Sequence, residues 1–229
     1  MSEFRAWPKT PRLNRNCIAT EKIDGTNSAV IVAALEHEGD YTDDAVAVLQ
    51  APNDVWYAVY AQSRKRLLRP GKSTDNFGFA GWVEENALEL AAGLGEGYHY
   101  GEWWGSKIQR GYGLTDGEKR FSLFNAGRWH DRQANGCGEE TVPDCVSVVP
   151  VLATGTIINA VAEGAVAMLE DNGSFAAPGF DNPEGIVVYH TAARQTFKVT
   201  LEGDESPKGI YKGMHSPGTV GKLSPEAVS

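Results

Sequence analysis

Along most of the chain, apolar residues come in short runs bounded by glycine, proline, aspartate or asparagine. That is the pattern of half-buried strands rather than helices. Such runs cover residues 17–23, 28–34, 45–50, 55–62, 98–104, 120–125, 145–152, 184–190 and 195–201. Two segments keep helical spacing instead. From Gly78 to Ala92 the apolar positions are Trp82, Val83, Ala87, Leu88 and Ala91. From about Thr156 to Glu170, Ile157, Ile158, Val161, Val166 and Leu169 make a stripe, and Gly173 offers a stop. Many strands interrupted by few helices predict an α+β architecture of antiparallel sheets flanked by helices. No internal repeat, low-complexity tract or interdomain linker divides the chain, so one domain is expected over 1–229. Its core spans about 17–201, with a basic arm at 1–16 and a loose tail at 203–229 that is rich in Gly, Pro, Ser and Lys.

Composition changes this picture little. With 41% hydrophobic and 22% charged residues in 229, the chain has the make-up of a globular domain rather than a disordered one. No apolar run reaches the length of about 18 residues needed to span a bilayer, and the N-terminus lacks an apolar signal core. Cys17, Cys137 and Cys145 form no CxxC and cannot all pair, which suits a reducing, cytoplasmic setting. His130 with Cys137 and Cys145 matches no zinc template. A net charge of −9 argues against wholesale non-specific binding to nucleic acid. Locally, however, Arg64, Lys65, Arg66, Arg69 and Lys72 crowd one segment, and Arg5, Lys9, Arg12 and Arg15 stud the arm. Such clusters are either solvated faces or phosphate contacts.

One phosphate motif is a decoy. "RPGKST" at Arg69–Thr74 ends like a P-loop, but the position that needs the first glycine is Arg66. The informative residues are charges that interrupt strands: Lys22 in "EKIDG", Glu102 in "YGEWWG", Glu184 in "PEGIVVY" and Lys198 in "TFKVT". Strand alternation would place Lys22 and Asp24 on the same face. Charges that point into a core are costly unless paired or used. Each alone reads as an outward strand residue; four, flanked by glycine or aromatics, suggest a shared site.

The ordered set KIDG, Ser63-Arg64, YGEWWG, FSLF, PEGIVV and FKVT resembles motifs I, Ia, III, IIIa, IV and V of the covalent nucleotidyltransferases: DNA ligases, RNA ligases and messenger-RNA capping enzymes. KxDG alone is weak; KxDG followed by the others in order, over roughly residues 17–201, is specific. DNA ligases and capping enzymes typically carry arginine two residues past the motif I glycine. This chain has Asn27, and "EKIDGTN" is similar to the RNA-ligase-2-like branch. The resemblance implies a nucleotidyltransferase (ATP-grasp-like ligase) domain that uses ATP with Mg²⁺ or Mn²⁺. Its expected partner is nucleic acid, as RNA ends or a nicked duplex, including an RNA–DNA hybrid. No membrane or obligate protein partner is expected.

Residue by residue, the resemblance implies that Lys22 attacks the α-phosphorus of ATP and holds AMP as a phosphoramidate. The AMP then passes to a 5′-phosphate end, which a 3′-hydroxyl seals. A free lysine has a pKa near 10.4, so desolvation or a neighbouring cation must favour the neutral amine. Lys198 would neutralise the α-phosphate, Glu184 would ligate the metal, and Glu102 would accept hydrogen bonds from the ribose. Arg64 would touch the ribose or the nucleic-acid end. Phe124 would stack on adenine, with Phe121 the alternative. Glu21, Ile23, Gly25 and Asn27 would line the nucleotide pocket, and Asp24 would orient the amine or a metal-bound water. The chain departs from the family pattern in three places. Motif V has one lysine with Thr196 and Thr200 beside it, motif IIIa has Asn125 for an aspartate, and the Lys22–Arg64 spacing is long. No C-terminal OB-fold is expected. The alternatives are a minimal ATP-dependent DNA ligase, a GTP-using transferase, or a relative that binds nucleotide without covalent chemistry.

Overall fold

The computed structural model describes residues 3–37, 39–50, 54–135 (131–135 by backbone alone) and 142–202. The tail at 203–229 and Cys137 lie outside the described residues. The strand runs form β1 (Cys17–Lys22), β2 (Thr26–Leu35), β3 (Ala47–Gln50), β4 (Trp56–Ser63) and β5 (Leu67–Leu68). They continue as β6 (Gly97–Gly105), β7 (Lys119–Leu123), β8 (Val146–Val148), β9 (Val151–Gly155), β10 (Gly185–His190) and β11 (Gln195–Thr200). The run at 145–152 is two strands, because Pro150 lies in its middle and has no N–H for a ladder.

The strands make two sheets. One has the order β11-β10-β1-β9; the other runs β3-β4-β2-β6-β7-β8, with β5 added beside β4. The expectation of antiparallel sheets needs one correction: β7 and β8 pair in parallel. A helix joins them, α3 (Ala126–Asn135), which the apolar pattern does not show. Of its residues Ala126 and Trp129 are buried, while the exposed Asn125 before it accepts the Arg128 N–H at 3.1 Å. The Asn125 that replaces the family's aspartate is thus a helix cap.

The helix expected at 78–92 is two, α1 (Phe79–Glu85) and α2 (Ala87–Leu94), broken at Asn86. The Asn86 side chain donates to the Trp82 carbonyl at 2.7 Å, the local competition that asparagine offers a helix. The Asp75 carboxylate accepts the Ala80 and Gly81 N–H groups and anchors the start of α1. Leu88, expected on the apolar face, is 56% exposed; Leu90 and Leu94 are buried instead. The second helix is α4 (Ile158–Asn172), ended by Gly173 at φ 72 as expected. Ile157 falls outside it and is exposed.

Each sheet has its own apolar core. Val161, Ala165 and Leu169 of α4, one turn apart, cover Cys17, Ala19, Ile186 and Val188 of the four-stranded sheet. The larger sheet packs α1 and α2 over an aromatic nest of Phe79, Trp82, Trp103 and Phe121, whose ring centroids lie 5.2–5.7 Å apart. Among the described residues, no helix is long and apolar enough to cross a membrane.

Candidate active site

A cavity of about 1080 Å³ lies between the two sheets. It is lined by Lys22, Ile23, Asp24, Gly25, Asn27, Arg64, Glu102, Phe124 and Lys198, and Glu21 borders it. All the site residues expected from sequence therefore meet in one place, with Glu184 joined to it through Lys22.

Pairing register explains the convergence. Lys22 ends β1 opposite Gly185 of β10, and Gly185 lies opposite Thr200 of β11. Opposed residues share a face in an antiparallel pair, so Lys22 and Thr200 flank a position with no side chain. A Cβ on Gly185 would come within 2.1 Å of the Val199 carbonyl oxygen, and its φ of 152 also selects glycine. Two rows further along, and so on the same face, Thr20, Val187 and Lys198 line up. Lys198 is therefore two rows removed from Lys22, and Thr200 holds the nearer position. On the other sheet, Asn27 lies opposite Glu102.

Between the sheets the chain turns through Ile23–Gly25. A Cβ on Gly25 would meet the Trp103 carbonyl oxygen at 2.5 Å, so the turn is pressed against β6. Its Gly25 N–H donates to Glu102 Oε1 at 3.1 Å. Strand β1 ends at Lys22, so Asp24 borders the cavity from the turn and not through strand alternation.

The charges are paired. Lys22 Nζ lies 2.5 Å from Glu184 Oε2, both side chains being about one-fifth exposed at 24% and 18%. Burial pushes the Glu102 carboxyl up to about 7, against the lowering pull of the Lys22 charge and the Gly25 N–H; the Glu184 and Asp24 carboxylates add to the rise. Glu102 is therefore poised between its protonation states near neutrality. Glu21 is buried, and its carboxylate turns from the cavity to the segment after α4. There it accepts the Ser174 hydroxyl at 2.6 Å and the Phe175 and Ala176 N–H groups at 2.9 Å. Desolvation still raises its pKa.

The two candidate aromatics differ in burial. Phe121 is fully buried among Phe79 and Trp82, whereas Phe124 is 39% exposed at the cavity edge. The basic segment after β4 is partly structural: Arg66 donates to the Thr74 and Asp75 carbonyls, and Arg69 pairs with Asp44 at 3.7 Å. Arg64 is exposed at the cavity rim.

Two residues were missed from sequence. Arg110 pairs with Asp24 at 3.3 Å and donates to the Asn182 carbonyl at 3.0 Å, tying the turn after Lys22 to the segment before Glu184. The Tyr112 hydroxyl accepts the Asp24 N–H at 2.9 Å and donates to the Lys22 carbonyl at 3.4 Å. Burial raises its phenol above the usual range. Their one sequence signal is the glycine-flanked "RGYG", whose tyrosine takes a φ of 50.

Among the described residues, no three His, Cys, Asp or Glu side chains cluster to hold a metal ion unaided. No curated protein sequence matches the chain. Solved structures of similar fold include variants of a Naegleria gruberi RNA ligase. One with ATP and manganese has a TM-score of 0.49 at 16% identity, covering 82% of this chain and 49% of that one. Another with ATP and manganese gives 0.49 at 18% identity, covering 83% and 51%. A variant with AMP and manganese gives 0.46 at 14%, covering 82% and 50%. The chain spans about half the length of these solved relatives. The model of the RNA ligase family matches residues 15–200, a span that holds every residue of the cavity, and the chain belongs to the RNA ligase family.

Proposed function

We propose that this chain is an ATP-dependent RNA ligase that forms a lysyl-AMP intermediate at Lys22 and joins 5′-phosphate to 3′-hydroxyl ends. Residues 17–201 form its adenylyltransferase unit. The observation that carries this reading is the Lys22–Glu184 pair, held at 2.5 Å, with Lys22 lining the same nucleotide-sized cavity as Glu102. Surface lysines seldom justify such placement. Here two strands, a side-chain-free position at Gly185 and the Tyr112 clamp together fix one amine.

In the first step the Lys22 nitrogen forms a bond to the α-phosphorus as the bond to the pyrophosphate oxygen breaks, and the amine loses a proton. An ammonium seated on a carboxylate is no nucleophile, so the pair must part before attack. Once Glu184 has left the amine, the departing proton passes to solvent water. Lys198, two rows along on the same face, meets the charge that grows on the phosphate. Glu102 accepts the ribose hydroxyls in its ionised form, Phe124 stacks on the base, and Asn27 and Arg64 flank the nucleotide. In the later steps a terminal 5′-phosphate oxygen takes the AMP and releases the Lys22 amine. The 3′-hydroxyl then displaces AMP.

The donor set suits Mg²⁺ or Mn²⁺. Such ions are commonly held by one or two carboxylates, with waters and substrate phosphates completing the shell. Glu184 would hold the ion, with Asp24 reaching it through water. When bound, a divalent cation supplies neutralisation of the phosphate charge and competes with Lys22 for Glu184.

The test is to incubate the protein with α-labelled ATP and magnesium, denature it, and look for covalent label. A mass increase of one AMP on Lys22 is expected, and Lys22→Ala should reduce labelling to background. Unlabelled wild-type protein, or label that persists in the variant, sinks the reading. Labelling by GTP in preference to ATP, or sealing of nicked DNA better than RNA, reassigns the substrate.

A further inference from the structure

The cavity does not end at Glu102. Alternation along β6 puts Tyr98, Tyr100 and Glu102 on one face, and the two tyrosines continue outward from the carboxylate. Both are exposed, at 61% and 47%, in the part of β6 that pairs with β2 alone, before the β7 ladder begins at Gly101. Their rings are nearly parallel, 17° apart in plane with centroids 6.1 Å apart. The rows beside them keep the surface low. Tyr100 lies opposite Ala29, which lies opposite Gln62; Tyr98 lies opposite Ile31, which lies opposite Tyr60. Ala29 and Ile31 are buried, whereas the two tyrosines line the cavity. Arg64 and Phe124 line it too.

Among the described residues, nothing in the packing calls for these rings. Tyr98 and Tyr100 belong to neither apolar core, and a strand of this sheet would be as well served by threonine on a wet face. Exposed, parallel aromatics on an open sheet surface can accept the faces of unpaired bases. A base in a duplex is already stacked and offers only its edges. Among the described residues, Lys22, Arg64, Arg128 and Lys198 line the cavity and can meet phosphates.

We infer that Tyr98 and Tyr100 form a stacking platform for the unpaired bases of a single-stranded RNA end whose terminus enters the Lys22 cavity. This rests on the ligase reading above and adds the strandedness of its substrate. The terminal nucleotides lie along β6, Arg64 meets a phosphate, and the end comes to rest beside Glu102 and Lys22.

Binding of a fluorescent, 5′-phosphorylated oligoribonucleotide is the test, measured by anisotropy on the full chain against the same sequence in a blunt duplex. The single strand should bind more tightly. Tyr98→Leu and Tyr100→Leu should each weaken it about tenfold, and Tyr100→Trp should restore it. Duplex binding that equals or exceeds single-strand binding overturns the inference, as do leucine variants that bind like the wild type. Tighter binding of the matching oligodeoxyribonucleotide overturns the assignment to RNA. Photocrosslinking of a 5-iodouridine oligoribonucleotide to the unaltered protein needs no variant: attachment at Tyr98 or Tyr100 is expected, and attachment elsewhere alone is fatal. Lys22 labelling by ATP is read separately. Its absence with tyrosine-dependent RNA binding overturns the ligase reading only; its presence with tyrosine-independent binding overturns this inference only.

Discussion

The two sheets divide the work unevenly. The four-stranded sheet has a small aliphatic core under a single helix, and it carries Lys22, Lys198 and, at the edge of β10, Glu184. The seven-stranded sheet has a large aromatic core under two helices, and it presents Glu102, Asn27, Tyr98 and Tyr100. In the proposed mechanism, the ion pair that must part sits on the lighter layer. The groups proposed to recognise the nucleotide and the RNA end sit on the heavier one. Close-packed cores resist displacement, so a recognition surface gains most from such backing.

The sharpest way to break this comparison is at Glu184. Glu184→Gln keeps the size and removes the charge, and the rate of Lys22 labelling should fall by about 10²–10³, as when one preorganised electrostatic partner is lost. A fall of similar size on replacing a residue of the heavier sheet, such as Asn27→Ala, would erase the division. The next effect is on stability. Glu21→Ala leaves the Ser174 hydroxyl and two N–H groups without their acceptor, and should cost about 3 kcal/mol in denaturant unfolding. A loss under about 1 kcal/mol would mean that the Glu21 carboxylate does not brace the segment after α4.

Glu102 sets a smaller, pH-dependent effect. Its folded pKa of about 7 lies above the ordinary carboxylate value of 4.5. Between these pH values the folded protein keeps a proton that the unfolded chain has released. Stability from this group is therefore fully present below about 4.5 and is lost as pH rises to about 7. Glu102→Gln should flatten that part of the stability curve, and it should remove a rising limb near neutral pH from the labelling rate. An unchanged limb would assign it to another group. Smallest is Arg110→Ala, which loosens the tie between Asp24 and Asn182. Labelling should slow about fivefold or less, as for a partly exposed ion pair; a complete loss would make Arg110 part of the chemistry.

Most of the strands were legible because both sheets alternate or bury clean apolar runs. The convergence of the candidate site was legible because Lys22, Glu102, Glu184 and Lys198 interrupt such runs in an order that resembles the family motifs. What escaped has physical reasons. Helix α3 buries only Ala126 and Trp129 among its described side chains, so no apolar stripe announces it. The direction of β8 is invisible because alternation has no sign. Arg110 and Tyr112 act from a glycine-rich loop, where position depends on backbone turns rather than periodicity. The destination of the Glu21 carboxylate depends on a contact 153 residues away.

The pairing of β1 has a consequence for when the protein becomes active. Lys22 is near the start of the chain, yet both neighbours of its strand, β9 and β10, lie far downstream, and its partner Glu184 is 162 positions away. Such a strand gains its hydrogen bonds only after a long loop has closed. During synthesis, then, Lys22 emerges long before the strands that flank it. It meets Glu184 only when β10 leaves the ribosome, so in the proposed mechanism a partly made chain has no amine in place to attack ATP.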